Sequence, residues 1–454
     1  MPWLIPMDLS IFFICIQIIR SQFPSYKNYA VMLTGVWVFI IMISRFGLYD
    51  TFIPSQITYI IMYIALAVFV GTTYVLQSYE HLRARRAAHL SGKASSRTPL
   101  NLNDVNYVPL VLIAGAITVV LLPFLPDALR ILQTGGFSSV RHNVLYAETS
   151  TYSSSSLVFL KWVVNPLILA EFSIAVAALV FKRFGRRKLY VVILLVITCA
   201  NLIMYTLVFA GRWLMMEALM MLGVLVIIEY GMSIWKIITK NFMLFLLGLA
   251  AFIAAIVISN DRSIGNTDFF TSVYVYFAGP VDMLNILLEN PDMSRLDQVM
   301  FGAYTVEGLL SPLYVVVNRV LHTNIPLAIS QINAVTSTMV NIAPNMHMNN
   351  NCTFVYGVLR DFGAAGILIG PTILAVACQK VYSYYAKFRS DYSIMLYSYM
   401  SVILFFMIIE WMFGRVNVVY TGIFLYGLMR VGIACHRMTK PLGFNLRVER
   451  AVEH

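Results

Sequence analysis

The chain has 454 residues, of which 59% are hydrophobic and 12% are charged, and its formal net charge is +11. This composition excludes a soluble globular protein, because only lipid can cover so much apolar surface. The sequence therefore predicts an all-α polytopic membrane protein that forms a single integral membrane domain over residues 1–454. We attribute most of the positive charge to contact with anionic lipid headgroups and expect no nucleic-acid partner.

About eleven apolar runs have the length of roughly twenty residues that a helix needs to cross a bilayer. In chain order, the expected spans are 2–19, 29–48, 53–76, 107–125, 157–181, 189–210, 213–235, 242–259, 355–378, 394–412 and 418–435. Lysine and arginine are concentrated in alternate loops, and such basic loops face the cytoplasm. This distribution places the N-terminus and residues 260–352 on the opposite, outer side of the membrane.

Two connections are long enough to consider separately. Residues 77–106 are basic and contain too few apolar side chains for a core, so we expect a flexible cytoplasmic loop. Residues 260–352 form the largest loop, on the outer side. Its segments VYVYFAGPVDMLNILLENP and GLLSPLYVVVNRVLHTNIP are apolar enough to lie along the bilayer surface as interfacial helices. A protein that acts on a lipid-borne substrate needs such a surface.

The basic residues expected on the outer side are almost all arginines, and the positive-inside distribution gives no reason for them. They are Arg45, Arg130, Arg141, Lys161, Arg212, Arg262, Arg295, Arg319, Arg360 and Arg415. A guanidinium group binds two phosphate oxygens at once, whereas an ammonium group acts as a point charge. As a set, these arginines favour an anionic ligand at the outer leaflet. For any one of them, pairing with a nearby acid is the alternative.

Residues 349–371 join a run of three asparagines to an apolar helix that carries glycines at three- and four-residue steps. Thr353 is the expected N-cap of this helix. The glycines predict a face that packs closely against another helix. Arg360 and Asp361 are adjacent and point in different directions on a helix, so each needs a partner of its own.

Charged side chains inside apolar spans are costly, and they are usually paired or functional. The charged residues near the outer helix ends come from six expected spans: Arg45, Lys161, Arg212, Glu217, Arg360, Asp361, Glu410 and Arg415. All of them should lie at one level, in the outer third of the bilayer. A cavity open to the outer leaflet would accommodate them at the least cost.

The sequence lacks a Walker A loop and a GxGxxG motif, so we expect neither nucleotides nor nucleotide-sugars as donors. His322 and His347 have no second ligand at metal-binding spacing, and we expect no metal or other cofactor. A lone histidine is more often a surface residue. Because His347 lies beside the asparagine run and near Arg360, it is also a candidate general base or substrate contact.

At residues 349–371 the sequence resembles the oligosaccharide repeat-unit polymerases, the O-antigen polymerase family of bacterial inner membranes. The shared features are the polar asparagine and threonine lead and an aromatic-rich helix that in the family reads roughly Y-DFG--G, of which this chain has Asp361-Phe362-Gly363 and Gly366. The FAGR hairpin is also similar to a basic turn in that family, and Arg212 and Gly223 match an arginine-to-glycine spacing of some members. The chain departs from the family at Leu359–Arg360, where members often have tyrosine, and the large loop lacks a second spacing of this kind.

The resemblance, which covers about residues 200–375, implies an inverting, metal-independent glycosyltransferase of the inner membrane with its active site facing the periplasm. The donor would be a growing glycan on undecaprenyl pyrophosphate, and the acceptor a hydroxyl group of a lipid-linked repeat unit. A co-polymerase that regulates chain length is an expected partner. The alternatives are an O-antigen ligase, which uses the same donor, and a lipid-linked oligosaccharide flippase, which would show midplane charges and repeat symmetry.

Roles for individual residues follow from this chemistry. Arginines would stabilise the charge that develops on the pyrophosphate leaving group, and a histidine or carboxylate would act as general base. We therefore expect His347, Asp361 and Arg212 to be catalytic. The expected substrate-binding residues are Arg262, Arg319, Arg360, Arg415, Asn349 and Asn351.

Overall fold

The computed structural model describes residues 28–90, 100–145, 154–231, 269–323, 325–344, 346–348 and 351–439. The expected spans 2–19 and 242–259 lie outside these residues, as do the candidate substrate-binding residues Arg262 and Asn349. Each of the other expected spans overlaps one or more helices. Within the described ranges, the protein is an all-α membrane protein with one small hairpin of β-strands.

The first half of the described chain contains eight α-helices. They are α1 (Tyr29–Arg45), α2 (Gln56–Leu90), α3 (Val108–Leu121), α4 (Leu125–Leu145), α5 (Ser154–Phe159), α6 (Asn165–Val180), α7 (Lys188–Phe209) and α8 (Trp213–Tyr230). A π-helical turn, Leu160–Val164, joins α5 to α6. The second half contains α9 (Phe269–Glu289), α10 (Pro291–Ser294), α11 (Ala303–Leu321), α12 (Ala328–Thr336), β1 (Val340–Ala343), β2 (Met346–Met348), α13 (Phe354–Phe362), α14 (Gly366–Phe388), α15 (Asp391–Phe406) and α16 (Val416–Thr439).

Eight helical segments of the described chain are long and apolar enough to cross a membrane, and two shorter apolar helices accompany them. Seven of the eight correspond to expected spans. The eighth is α9, which the sequence had placed on the bilayer surface. The total of eleven spans and their orientation stay predictions.

Helix α6 lies at the centre of the bundle, where it packs against α3, α7, α8, α15 and α16. Nearly all of its side chains are buried, and four of them are alanines. Small side chains let neighbouring helices approach closely on all sides. The core of the protein is therefore built around α6.

The expected span 355–378 is two helices rather than one. The chain turns between α13 and α14 at Gly363, whose φ of +62° lies in the left-handed region that favours glycine. Gly366 and Gly370 then pack directly against Val358, with no room for a Cβ atom at either glycine. The glycine face was predicted correctly, but it packs against the preceding helix across a sharp corner.

The expected loop 77–106 also differs from the structure. Helix α2 continues to Leu90, because alanine, leucine, arginine and glutamate between residues 77 and 90 are good helix formers. At the far end of this segment, Leu102 is buried and its backbone N–H donates to Asp391 Oδ2 at 2.8 Å. Residues 91–99 lie outside the described part.

Helices α9 and α11 each contain an internal proline, Pro280 and Pro312, that does not end the helix. Contacts with neighbouring elements keep both helices intact. In α9, the Tyr274 hydroxyl accepts from Leu48 N–H at 3.1 Å, and Asn285 Oδ1 accepts from Ser55 N–H at 2.8 Å. Both contacts lie in the connection between α1 and α2.

Helix α11 has two distinct faces. One face is buried against the protein through Tyr304, Glu307, Gly308 and Ser311. The other face is exposed and apolar at three- and four-residue steps, comprising Val306, Leu309, Leu313, Val316 and Val320. An apolar stripe that points away from the protein is typical of a helix that lies against lipid.

We call the end of the bundle that carries the starts of α8, α13 and α16 the site end.

At the opposite end of the bundle, three connections are joined by polar contacts. Arg183 forms an ion pair with Asp391, and Arg187 Nη1 donates to Val105 O at 2.5 Å. Arg187 also contacts His436 in the last turns of α16. These contacts fix the basic connections predicted to face the cytoplasm.

Candidate functional site

An ion pair between Arg415 and Glu410 lies at the centre of the site end. Arg415 Nε contacts Glu410 Oε1, and Arg415 Nη2 contacts Glu410 Oε2, so the guanidinium group binds both carboxylate oxygens in a bidentate ion pair. The short turn Met412–Gly414 between α15 and α16 brings the two residues together. The Arg415 side chain is 33% exposed and that of Glu410 is 13% exposed, so the pair can be reached from outside the protein.

Two further charged residues lie beside this pair. Arg415 Cζ is 5.5 Å from the ring centroid of Trp213, and Trp213 Nε1 donates to Glu217 Oε1 at 2.9 Å. Lys161, in the π-helical turn, interacts electrostatically with Arg415. We call Lys161, Glu217, Glu410 and Arg415 the charged cluster. Its two cations and two carboxylates come from three separate segments of the chain.

A narrow cleft adjoins the charged cluster and shares Glu410 with it; the empty space of about 270 Å³ around it includes open solvent, and its enclosed part has room for about one water molecule. Its walls come from α11, α12, the start of α13 and the turn after α15. The lining residues are Tyr304, Ile332, Asn333, Thr336, Cys352, Thr353, Tyr356, Gly357, Glu410 and Trp411. The hydroxyl of Thr353 is buried and has no hydrogen-bond partner among the described residues. Thr353 occupies the N-cap position of α13, as predicted, but its side chain makes no capping hydrogen bond.

Two glycines bring α11 against the turn that positions Glu410 and Arg415. A Cβ atom at Gly414 would overlap the Tyr304 ring, and one at Gly308 would overlap the carbonyl oxygen of Phe413. Trp411 Nε1 also donates to Thr305 Oγ1 at 3.0 Å. Helix α11 therefore fixes the geometry of the charged cluster through close backbone contact.

Asp361 caps α11 from outside the helix. Its oxygens accept hydrogen bonds from Tyr304 N–H at 2.9 Å, Thr305 N–H at 2.7 Å and Thr305 Oγ1 at 2.5 Å. A carboxylate at a helix N-terminus satisfies free N–H groups and interacts favourably with the helix dipole. Because Asp361 is fully buried and engaged in these bonds, the geometry favours a structural role over the predicted catalytic one.

Arg360 has a separate structural partner. Its Nη1 donates to the carbonyl oxygens of Arg295 and Gln298, the latter at 2.6 Å, and the side chain is fully buried. Arg360 therefore bonds to residues 295–298 and Asp361 to residues 304–305. The two side chains have different partners, as expected for adjacent positions on a helix. The substrate-binding role predicted for Arg360 stays a prediction that this burial does not favour.

His347 lies on the exposed side of the β-hairpin, opposite Asn341 in the strand register. The neighbouring residue Met348 packs against Gly279 of α9, and Phe52 N–H donates to Ile342 O at 2.8 Å. The hairpin therefore packs against α9 and the connection between α1 and α2, whereas the cleft is lined by α11, α12 and α13. A role for His347 as general base stays a prediction.

The remaining candidates are spread over the site end. Arg212 Cζ lies 4.3 Å above the Tyr276 ring of α9. Arg319 is exposed in the last turn of α11, and Asn351 is half-buried just before α13. Arg415 is the predicted substrate-binding residue that belongs to the charged cluster.

Glu307 is a site residue that sequence reasoning missed. It is buried on α11, where its Oε2 accepts from Ile329 N–H at 2.6 Å and so caps α12. Burial raises the pKa of Glu307 from its ordinary value of 4.5 to about 7. Tyr304 and Trp411 were missed as well, because their contacts join distant parts of the chain. Among the described residues, no three histidine, cysteine or acidic side chains are grouped closely enough to hold a metal ion.

No protein-family model, curated protein or solved structure matches this chain. The likeness to the oligosaccharide repeat-unit polymerases therefore depends on the motifs at residues 212–223 and 349–371 alone.

Proposed function

We propose that this protein polymerises lipid-pyrophosphate-linked oligosaccharide repeat units at the periplasmic face of the bacterial inner membrane. It would act as an inverting, metal-independent glycosyltransferase with undecaprenyl pyrophosphate as the leaving group. The observation that carries the proposal is the charged cluster at the end of an apolar helical bundle, directly beside a cleft that contains a carboxylate. The sequence resemblance is independent support.

The cations of the charged cluster suit a pyrophosphate. Arg415 presents a guanidinium fork that matches phosphate oxygens, and Lys161 adds a second positive charge from another segment. When the bond to the sugar breaks, negative charge develops on the pyrophosphate, and fixed cations stabilise that charge most strongly in a water-poor site. Arg212, over Tyr276 on the same end of the bundle, remains a candidate second ligand of the donor.

We place the acceptor sugar at the cleft, which must widen to admit it. Tyr304, Tyr356 and Trp411 provide aromatic surface, and Thr353 provides a hydroxyl group with no partner among the described residues. Ligand sites commonly combine apolar walls with a few polar groups that fix orientation. Because the cleft is narrow, acceptor binding would require its α12 wall to move.

The apolar stripe of α11 supports a substrate delivered from the bilayer. A helix with its apolar face outward lies at the lipid boundary, and the opposite face of α11 contacts the charged cluster through Gly308 and Tyr304. A pyrophosphate attached to a polyprenyl chain occupies this level of the membrane. A chain-length-regulating co-polymerase is the expected protein partner.

The test is reconstitution of the purified protein in lipid vesicles with undecaprenyl-pyrophosphate-linked repeat units. Polymerase activity predicts a ladder of lipid-linked products without any added acceptor. Transfer that occurs only when lipid A core is supplied would instead identify a ligase. Transbilayer movement of the substrate without a new glycosidic bond would identify a flippase, and either result would overturn the proposal.

A further inference from the structure

We propose that Glu410 is the proton acceptor of the reaction and that Arg415 holds it inactive until the donor pyrophosphate binds. This inference rests on the proposed function and deepens it. Of the carboxylates in the described chain, Glu410 is the one that both lines the cleft and belongs to the charged cluster. It therefore lies between the position expected for the donor and that expected for the acceptor.

The other carboxylates of the site end already accept hydrogen bonds from neighbouring groups of the protein. Asp361 accepts three hydrogen bonds at the start of α11, and Glu217 accepts from Trp213 and is almost fully buried. Glu307 accepts from the backbone of α12. The partners of these side chains are neutral N–H and O–H groups, none of which carries a positive charge that would bind a pyrophosphate in place of the carboxylate.

The partner of Glu410 is different, because a substrate can replace it. A phosphate group offers the Arg415 fork the same pair of oxygens that Glu410 offers, with more charge. One third of the Arg415 side chain is exposed, so a ligand can approach without unfolding the turn Met412–Gly414. Lys161 adds attraction for the pyrophosphate and repels Arg415. Donor binding would therefore release the Glu410 carboxylate on the cleft side.

The released carboxylate would take part in one balanced step. The acceptor hydroxyl oxygen attacks the anomeric carbon of the donor sugar from the face opposite the pyrophosphate and forms the new C–O bond. The bond between that carbon and the pyrophosphate oxygen breaks, and its electron pair leaves on undecaprenyl pyrophosphate. The hydroxyl proton passes to Glu410. Because the base is free only when donor is bound, the acceptor is activated only when it can react.

The experiment measures two quantities on the purified full-length protein: turnover in vesicles, and the affinity for methylenediphosphonate as a stable pyrophosphate probe. Glu410→Gln should lower turnover by at least about 100-fold, the usual effect of removing a general base. The same variant should bind the probe several-fold more tightly, because Arg415 has lost its competing carboxylate. Arg415→Gln should lose probe binding. Glu289→Gln, at the exposed end of α9, is the matched control and should leave both quantities unchanged.

A structural role for Glu410 predicts a different pattern. If Glu410→Gln weakens probe binding along with turnover, or keeps turnover within about twofold of wild type, the inference is wrong. Should that variant fail to fold, Glu410→Asp provides the test, since its shorter side chain cannot keep the two-point contact but retains a base. It should bind the probe more tightly and keep partial turnover. Absence of polymerisation by the wild type would overturn the proposed function alone, because tighter probe binding would still show the exchange at Arg415.

Discussion

Arg360 and Asp361 are neighbours in the chain, yet each holds a different partner in the segment that leads into α11. At the scale of single residues, burial distinguishes charged side chains that stabilise the fold from those that a substrate can reach. Both side chains are fully buried, whereas Arg415 and Glu410 can be reached from outside the protein. The sequence places all four at the outer helix ends but contains no information on which are covered by residues 295–305.

Asp361→Asn should therefore destabilise the protein rather than abolish a chemical step. The amide can accept from only one oxygen, which leaves a buried N–H group of α11 without its partner at a cost of about 1–3 kcal/mol. We expect a lower Tm in detergent, measured by intrinsic fluorescence, with activity per folded molecule largely retained. An unchanged Tm combined with complete loss of turnover would instead support the catalytic role predicted from the sequence.

Glu307 predicts a pH dependence of stability. Its folded pKa of about 7 lies above the ordinary value of 4.5, so the folded state favours the protonated form. The stabilising contribution of this group is complete below about pH 4.5 and is lost as the pH rises through about 7. Relative to Glu307→Gln, the Tm of the wild type should therefore fall between pH 5 and pH 8. A constant difference across that range would contradict the assignment.

The turn Met412–Gly414 and α11 form a single packed unit at the scale of secondary-structure elements. Their contact is made by glycines and by the Tyr304 ring, with the Trp411 indole bonded to Thr305. Sequence patterns identified the helix and the glycine-spaced stretch after residue 353. They could not identify this contact, because the paired residues lie about a hundred positions apart and neither pattern specifies a partner.

Gly414→Ala tests whether this contact positions the charged cluster. The added methyl group would overlap the Tyr304 ring and force α11 away from the turn, at a cost of about 1–3 kcal/mol. We expect lower stability and reduced turnover with the chemical groups all present. Gly422→Ala, in α16, adds the same methyl group where no atom lies within 4 Å and should behave like the wild type. Equal effects of both substitutions would show that the contact has no special role.

Prolines and glycines do not mark the ends of helices consistently in this protein, for a physical reason. Pro280 and Pro312 remove one hydrogen bond each but leave their helices intact within a packed bundle. Gly363, in contrast, ends α13 because the next residues pack back onto Val358. Both residue types are poor helix formers, and tertiary packing decides whether the helix continues.

Across the whole molecule, hydropathy was sufficient to predict a helical bundle, because a chain in lipid must satisfy its backbone hydrogen bonds internally. Every expected span within the described residues is helical. The positions of α9, α11 and α12 were not predictable, since their packing depends on polar contacts between distant parts of the chain, such as that of Asn285 with Ser55. The cleft is formed by these elements and was therefore beyond sequence reasoning.

The predicted orientation places the site end outside the cytoplasm and can be tested with an impermeant thiol reagent. In a background without native cysteines, Asp292→Cys, an exposed position of α10, should react in intact cells. Lys182→Cys, an exposed position in the connection between α6 and α7, should react only after lysis. Labelling in the reverse order would invert the topology and remove the periplasmic assignment.

The outward apolar stripe of α11 has a consequence for experiments in solution. Because α11 packs against the turn between Glu410 and Arg415, we expect the thickness of the surrounding lipid layer to affect the geometry of the ion pair. A micelle curves away from such a helix, whereas a flat bilayer supports it along its length. If the proposed activity is correct, it should therefore depend on acyl-chain length and detergent, and a preparation that is folded but inactive in micelles should be assayed again after transfer to bilayers.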